Sequence, residues 1–211
     1  MNTTDSPWIR TVSLPLPTLQ DNTADADRLI NALKSQLKTT AIDVDVELLR
    51  RLPSVLRNGD YKIRCILLKD RQKWILMGLS KLDDTSTVAG LAVDLGTTRV
   101  VLRLLDLETG RTIAESAFDN PQESVGPDVL ARIHFADQPG GLEKLNELII
   151  NGLNQAIGNI CTENGLELQN IYALSLAGNT TMTHLFMGLS IPARPYPSVC
   201  CRIYLSSGIK H

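Results

Sequence analysis

Residues 90–110, GLAVDLGTTRVVLRLLDLETG, limit the fold more than any other stretch. They predict a buried strand ending in Asp94, a tight turn at Gly96, Thr97 and Thr98, and a second strand that follows without a gap. Short side chains at such a turn leave successive backbone N–H groups free to face an anion, and the two hydroxyls add donors. The Asp94 carboxylate is placed to hold a hydrated Mg²⁺ rather than a phosphate, because like charges repel. The same Asp-x-Gly spacing also fits an ordinary hairpin turn in which glycine supplies a positive φ. Taken alone, these residues leave both readings open.

Composition narrows the setting. The chain has 211 residues, 43% of them apolar, and a net charge of −2, as an ordinary globular chain does. A pI near 5.9 with dispersed Lys and Arg argues against a nucleic-acid surface. No apolar run approaches the roughly 20 residues of a membrane helix, and the polar first residues show no secretory signal. The expectation is a cytoplasmic protein with neither nucleic acid nor membrane as partner. Cys65, Cys161, Cys200 and Cys201 form no C-x-x-C pair, and their spacing resembles neither a zinc nor an iron–sulfur ligand set. Cys65 falls on the apolar face of a predicted strand and Cys161 in a predicted helix, so both read as buried structural thiols.

Periodicity then orders the chain. Residues 9–16 alternate as a strand. Helices follow at about 23–37 and about 43–57, the second with Asp43 as N-cap and with Pro53 expected to kink or shorten it. Strands at 61–68 and 73–78 close a small α+β unit, residues 1–80, and the polar residues 81–87 read as a linker. Residues 88–211 open with three strands in a meander, 88–94, 99–106 and 112–117. Helices at about 127–134 and 142–164 come next, the longer one capped by Gly165. A buried strand at 171–176 then delivers Gly178, Asn179 and Thr180 to a short helix carrying His184. The fold class expected is α/β.

With these elements placed, the chain resembles the ATP-dependent reductive activators of corrinoid proteins. Four blocks carry the resemblance: residues 20–29 with 48–53; the run from Gly90 to Thr98; Asn120-Pro121-Gln122 with Gly126-Pro127-Asp128-Val129 and Arg132-Ile133; and the run from Ala177 to Leu185. Together they span roughly residues 8–195. The resemblance implies a small middle domain followed by the first lobe of an actin-like (ribonuclease H-like) ATPase domain. It implies ATP and Mg²⁺ as ligands, with Asp94, Gly96, Thr97, Thr98, Gly178, Asn179 and Thr180 binding them and Asp94 serving the metal. Full-length members carry a [2Fe–2S] ferredoxin domain, for which this chain offers no ligands. They also carry a second phosphate hairpin and an adenosine motif that the chain does not match. After Pro195 nothing fits the family pattern, so the expectation is a fragment.

The activity implied for the whole family is the return of a Co(II) corrinoid to Co(I). Its partners are a corrinoid protein or a corrinoid-dependent methyltransferase and an electron donor, with homodimerisation expected by resemblance only. Two other readings fit the residues: a small-molecule kinase of the same superfamily, and a non-catalytic interaction module. Gly178-Asn179-Thr180 also fits a plain helix cap, Asn120-Pro121-Gln122 a plain turn, and Asp128 a helix-start charge. His184 reads as packed on its helix.

Overall fold

The computed structural model describes residues 7–70 and 73–190 and the backbone of 200–204. The chain divides into two units, the first built mainly from residues up to Val88 and the second from Ala89–Asp106 and Gly110–Tyr204.

In the first unit, β1 (Ile9–Ser13) precedes α1 (Asp25–Leu37), β2 (Ile42–Val44), α2 (Val46–Asn58), β3 (Lys62–Asp70) and β4 (Lys73–Lys81). The sheet order is β1-β3-β4-β2, with β2 parallel to β4 and the other pairs antiparallel. Leu29 and Leu33 of α1 and Leu48, Leu52 and Leu56 of α2 bury their apolar stripes with Ile63, Cys65 and Leu67 of β3. Strand β2 is absent from the sequence reading, because three residues are too few to display an alternation. Its presence moves the start of α2: Asp43 pairs in the strand, and Asp45 caps the helix, accepting from Glu47 N–H at 2.7 Å. Pro53 lies inside α2 without ending it, and the buried leucines on either side hold the helix through to Asn58.

The second unit opens with the meander β5 (Ala89–Leu95), β6 (Arg99–Asp106) and β7 (Thr112–Asp119). A 3-10 turn at Pro121–Ser124 leads into α3 (Val129–Ala136) and α4 (Gly141–Glu163); β8 (Ile171–Gly178), α5 (Thr180–Phe186) and β9 (Cys200–Tyr204) follow. The order is β7-β6-β5-β8-β9, with β8 parallel to β5 and β9 antiparallel to β8. Alternation sorts the two faces. Leu91, Val93 and Leu95 stand level with Leu104, Leu102 and Val100 on one buried face. Leu145, Ile149, Leu153, Ile157 and Ile160 make the buried stripe of α4, which packs on β6 and β7. Asp128 proves to be the N-cap of α3, accepting from Ala131 N–H at 2.8 Å. Strand β9 lies in the stretch after Pro195, to which the sequence assigned no element: its backbone pairs with the edge of β8 from Ala177↔Cys200 to Ala173↔Tyr204. Residues 191–199 and 205–211 of that tail lie outside the described residues.

Candidate functional site

The parallel pairing of β5 with β8 builds the site. Asp94 stands level with Ala177 and Leu95 with Gly178, so both strands end at the same height. The turn of Gly96, Thr97 and Thr98 therefore leaves the sheet beside Gly178, Asn179 and Thr180. Open α/β sheets place their ligand sites beyond such carboxyl ends. The two segments touch: Asn179 Nδ2 donates to Thr97 Oγ1 at 3.2 Å. Asn179 is also the cap of α5, its Oδ1 accepting from Met182 N–H at 2.9 Å. The cap and the cross-strand contact use different atoms of one amide, so the plain-cap reading of Asn179 holds and still leaves its Nδ2 for the hairpin.

Asp94 is exposed on the face of β5 opposite the helices. Among the described residues it forms no ion pair. With Ala92, Val101, Arg103, Ser175 and Ala177 it lines a shallow concavity of about 460 Å³. Arg103 is held by Glu115 of β7, with Nε and Nη2 at 2.9 and 2.8 Å from Oε2. No group of three or more His, Cys, Asp or Glu that could hold a metal ion occurs among the described residues. A single exposed carboxylate suits Mg²⁺, which keeps most of its waters.

Gly96 carries a constraint different from the one the sequence suggests. Its φ is not positive. A Cβ at Gly96 would instead lie 2.2 Å from the Arg99 carbonyl oxygen, so the hairpin closes too tightly for any side chain. Beneath the turn sits a residue whose role the sequence left open. Asn120 is 1% exposed; its main-chain N–H donates to Thr98 O at 2.7 Å and its Nδ2 to Gly96 O at 2.9 Å. The Asn-Pro-Gln motif thus clamps the hairpin from below; its signal in the sequence was its place among the blocks that carry the family resemblance, since by itself it reads as a plain turn. His184 is confirmed as packed on its helix, its Nδ1 at 2.7 Å from Thr180 O.

The two described thiols, Cys65 and Cys161, do not make an iron–sulfur site, which takes four cysteine ligands. Cys65 and Cys161 are buried. Burial pushes the Cys65 thiol up to about 12 and also raises that of Cys161, the opposite of what a ligand thiolate needs. No described helix is long and apolar enough to cross a membrane.

The fold superposes on a solved structure, "Reductive activator for corrinoid,iron-sulfur protein", with a TM-score of 0.76 and 35% identity, over 87% of this chain and 30% of that one. The class so defined is a mixed α/β protein with an actin-like ATPase-type fold. Residues 89–204 match the family model described as the RACo middle region, and residues 6–86 the RACo linker region. The chain belongs to the RACo-type family of corrinoid reductive activators. It is also 29% identical over 174 residues to the corrinoid activation enzyme RamQ of Eubacterium limosum, covering 74% of this chain and 29% of that protein. The chain thus spans about 30% of the length of the relatives it matches. The middle-region match runs on to residue 204, past Pro195, where the sequence reading has the family pattern stop.

Proposed function

We propose that this chain forms the nucleotide-phosphate part of an ATP-dependent reductive activator that returns a Co(II) corrinoid protein to Co(I). The observation that carries the reading is the junction of the hairpin with the Asn179 segment at the ends of two parallel strands, beside an exposed carboxylate. In this reading residues 1–80 and 88–211 are separate domains joined by 81–87, and the protein works in the cytoplasm, as a homodimer.

Asp94 would hold the hydrated Mg²⁺ of the nucleotide. Gly96, Thr97 and Thr98 would turn backbone N–H groups and hydroxyls toward the phosphates, with Gly178, Asn179 and Thr180 closing the opposite side. ATP, when bound, supplies the free energy that a one-electron reduction of Co(II) at low potential requires. Binding does this by favouring one arrangement of the protein over another. The electron comes from a low-potential donor and ends on cobalt, and the partner is a corrinoid protein or a corrinoid-dependent methyltransferase. The [2Fe–2S] centre expected of full-length relatives has no place among the described thiols, and no step here runs through one.

Titration of the chain with Mg-ATP, and then with a purified corrinoid protein in the Co(II) state, tests the proposal. Saturable Mg-ATP binding that Asp94→Asn weakens about tenfold or more, with corrinoid-protein binding that depends on Mg-ATP, is the expected result. Absence of Mg-ATP binding overturns the nucleotide reading. Binding of the corrinoid protein that is indifferent to Mg-ATP overturns the coupling.

A further inference from the structure

We infer that Arg132 is a positioning residue for the phosphate hairpin, acting through Gln122 and Asn120; this rests on the nucleotide reading above. Arg132, on α3, is 0% exposed, and Gln122 and Asn120 are each 1% exposed. Three buried polar side chains in a row are unusual in a core and must be satisfied by one another. Arg132 Nε donates to Gly126 O at 2.8 Å, and Nη1 donates to Gln122 Oε1 at 3.2 Å. Gln122 passes the constraint on in two directions. Its Nε2 donates to Leu145 O of α4 at 2.9 Å, and its main-chain N–H donates to Asn120 Oδ1 at 3.0 Å. Asn120 then grips both carbonyls of the hairpin, Gly96 O and Thr98 O.

The same guanidinium reaches the other half of the site. Nη1 lies 3.2 Å from Met182 Sδ, on the helix that Asn179 caps. One rigid fork therefore meets the loop beneath the hairpin and the helix behind Asn179, and sets the interval between Thr97 and Asn179 from below.

Two observations set this apart from ordinary packing. Arg132 has no carboxylate in ion-pair range among the described residues, and its Nη2 is buried without a partner. A cation left in that state is a poor way to fill a core, since apolar side chains of similar volume usually serve stability as well or better. The backbone also makes room for it. A Cβ on Gly126 would fall 2.6 Å from Arg132 Cγ and 2.9 Å from its N. The arrangement fits a geometric function for the fork better than a contribution to stability.

The test uses amide NMR and exchange on the 211-residue chain, together with Mg-ATP titration. Arg132→Met is expected to shift the Gly96, Thr97 and Thr98 amide resonances and to speed exchange of the Asn120 amide about tenfold, as loss of one buried hydrogen bond implies. It should weaken Mg-ATP binding by a similar factor. Ile157→Val, a core change on α4 outside this network, should speed exchange of core amides in general as it lowers stability, yet leave the hairpin resonances and Mg-ATP affinity unchanged. Arg132→Lys keeps the charge but not the fork and should show the same changes, smaller. If Arg132→Met does not fold, Arg132→Lys decides by the same readouts. Wild-type hairpin shifts and Asn120 exchange in a folded Arg132 variant overturn the inference, as do equal hairpin shifts in Ile157→Val. Should the wild type fail to bind Mg-ATP, the nucleotide reading falls, while the resonances still report whether Arg132 sets the hairpin.

Discussion

At the scale of single residues, Gly96 shows how a correct motif can rest on the wrong cause. An Asp-x-Gly turn suggests a left-handed glycine, and the strain lies instead in a carbonyl 2.2 Å from where a Cβ would sit. Close approach of backbone to backbone leaves no trace in a sequence, because it depends on how sharply two strands turn. Gly96→Ala should therefore destabilise the second unit by about 2 kcal/mol, as overpacking against rigid backbone does, and abolish Mg-ATP binding. Urea unfolding followed by titration at low urea checks both. Cys65 was legible for the opposite reason: it shares a strand face with Ile63 and Leu67, and that face is core. Its thiol stands at about 12 against an ordinary 9.0. Alkylation of the native chain at pH 9 should accordingly be roughly three orders of magnitude slower at Cys65 than in urea, as peptide mass spectrometry would show. The sign for stability follows from the raised value. Below pH 9 both states keep the proton; between about 9 and 12 only the folded state does, so folding weakens as pH rises through that window.

At the scale of elements, the long periodic pieces were readable and the short ones were not. Helix α4 runs Gly141–Glu163 against an expectation of 142–164, because a stripe of apolar residues over six turns has one reading. Strand β2 has three residues, and its pairing with β4 is decided by tertiary neighbours, so Asp43 looked like a cap when the cap was Asp45. Helix α5 allows its two functions to be separated by substitution. Asn179→Asp keeps the oxygen that caps Met182 N–H and loses the Nδ2 that reaches Thr97 Oγ1. Asn179→Ala loses both. Thermal unfolding should show Asn179→Ala down by about 1 kcal/mol and Asn179→Asp close to wild type. Mg-ATP titration should show both weakened, with Asp the worse because it adds a negative charge beside the phosphates. Equal affinity of Asn179→Asp and wild type would remove Asn179 from the binding site.

At the scale of the whole molecule, what the sequence could not supply was the connection between distant segments. The residues by themselves read Gly96 as a local turn and Asn179 as a local cap; the family resemblance put both in one set, and the parallel register of β5 with β8 is what makes them neighbours. The β9 strand was hidden in the same way, since its partner edge is formed by residues some 25 positions earlier. If these segments form one site, occupancy must stabilise the sheet that joins them. A ligand present at ten times its dissociation constant adds RT ln 11, about 1.4 kcal/mol, to the folded state. For a chain of this size that corresponds to a rise in Tm of about 3–6 °C. Mg-ATP should produce such a rise in wild type, with slowed amide exchange along β5, β6 and β8. Asp94→Asn should keep the unliganded Tm, because its exposed carboxylate has no ion pair among the described residues, and should lose most of the rise at the same ligand concentration. A rise that survives in Asp94→Asn would mean that the nucleotide binds away from the carboxyl ends of β5 and β8. A lowered unliganded Tm in that variant would instead show that Asp94 serves the fold.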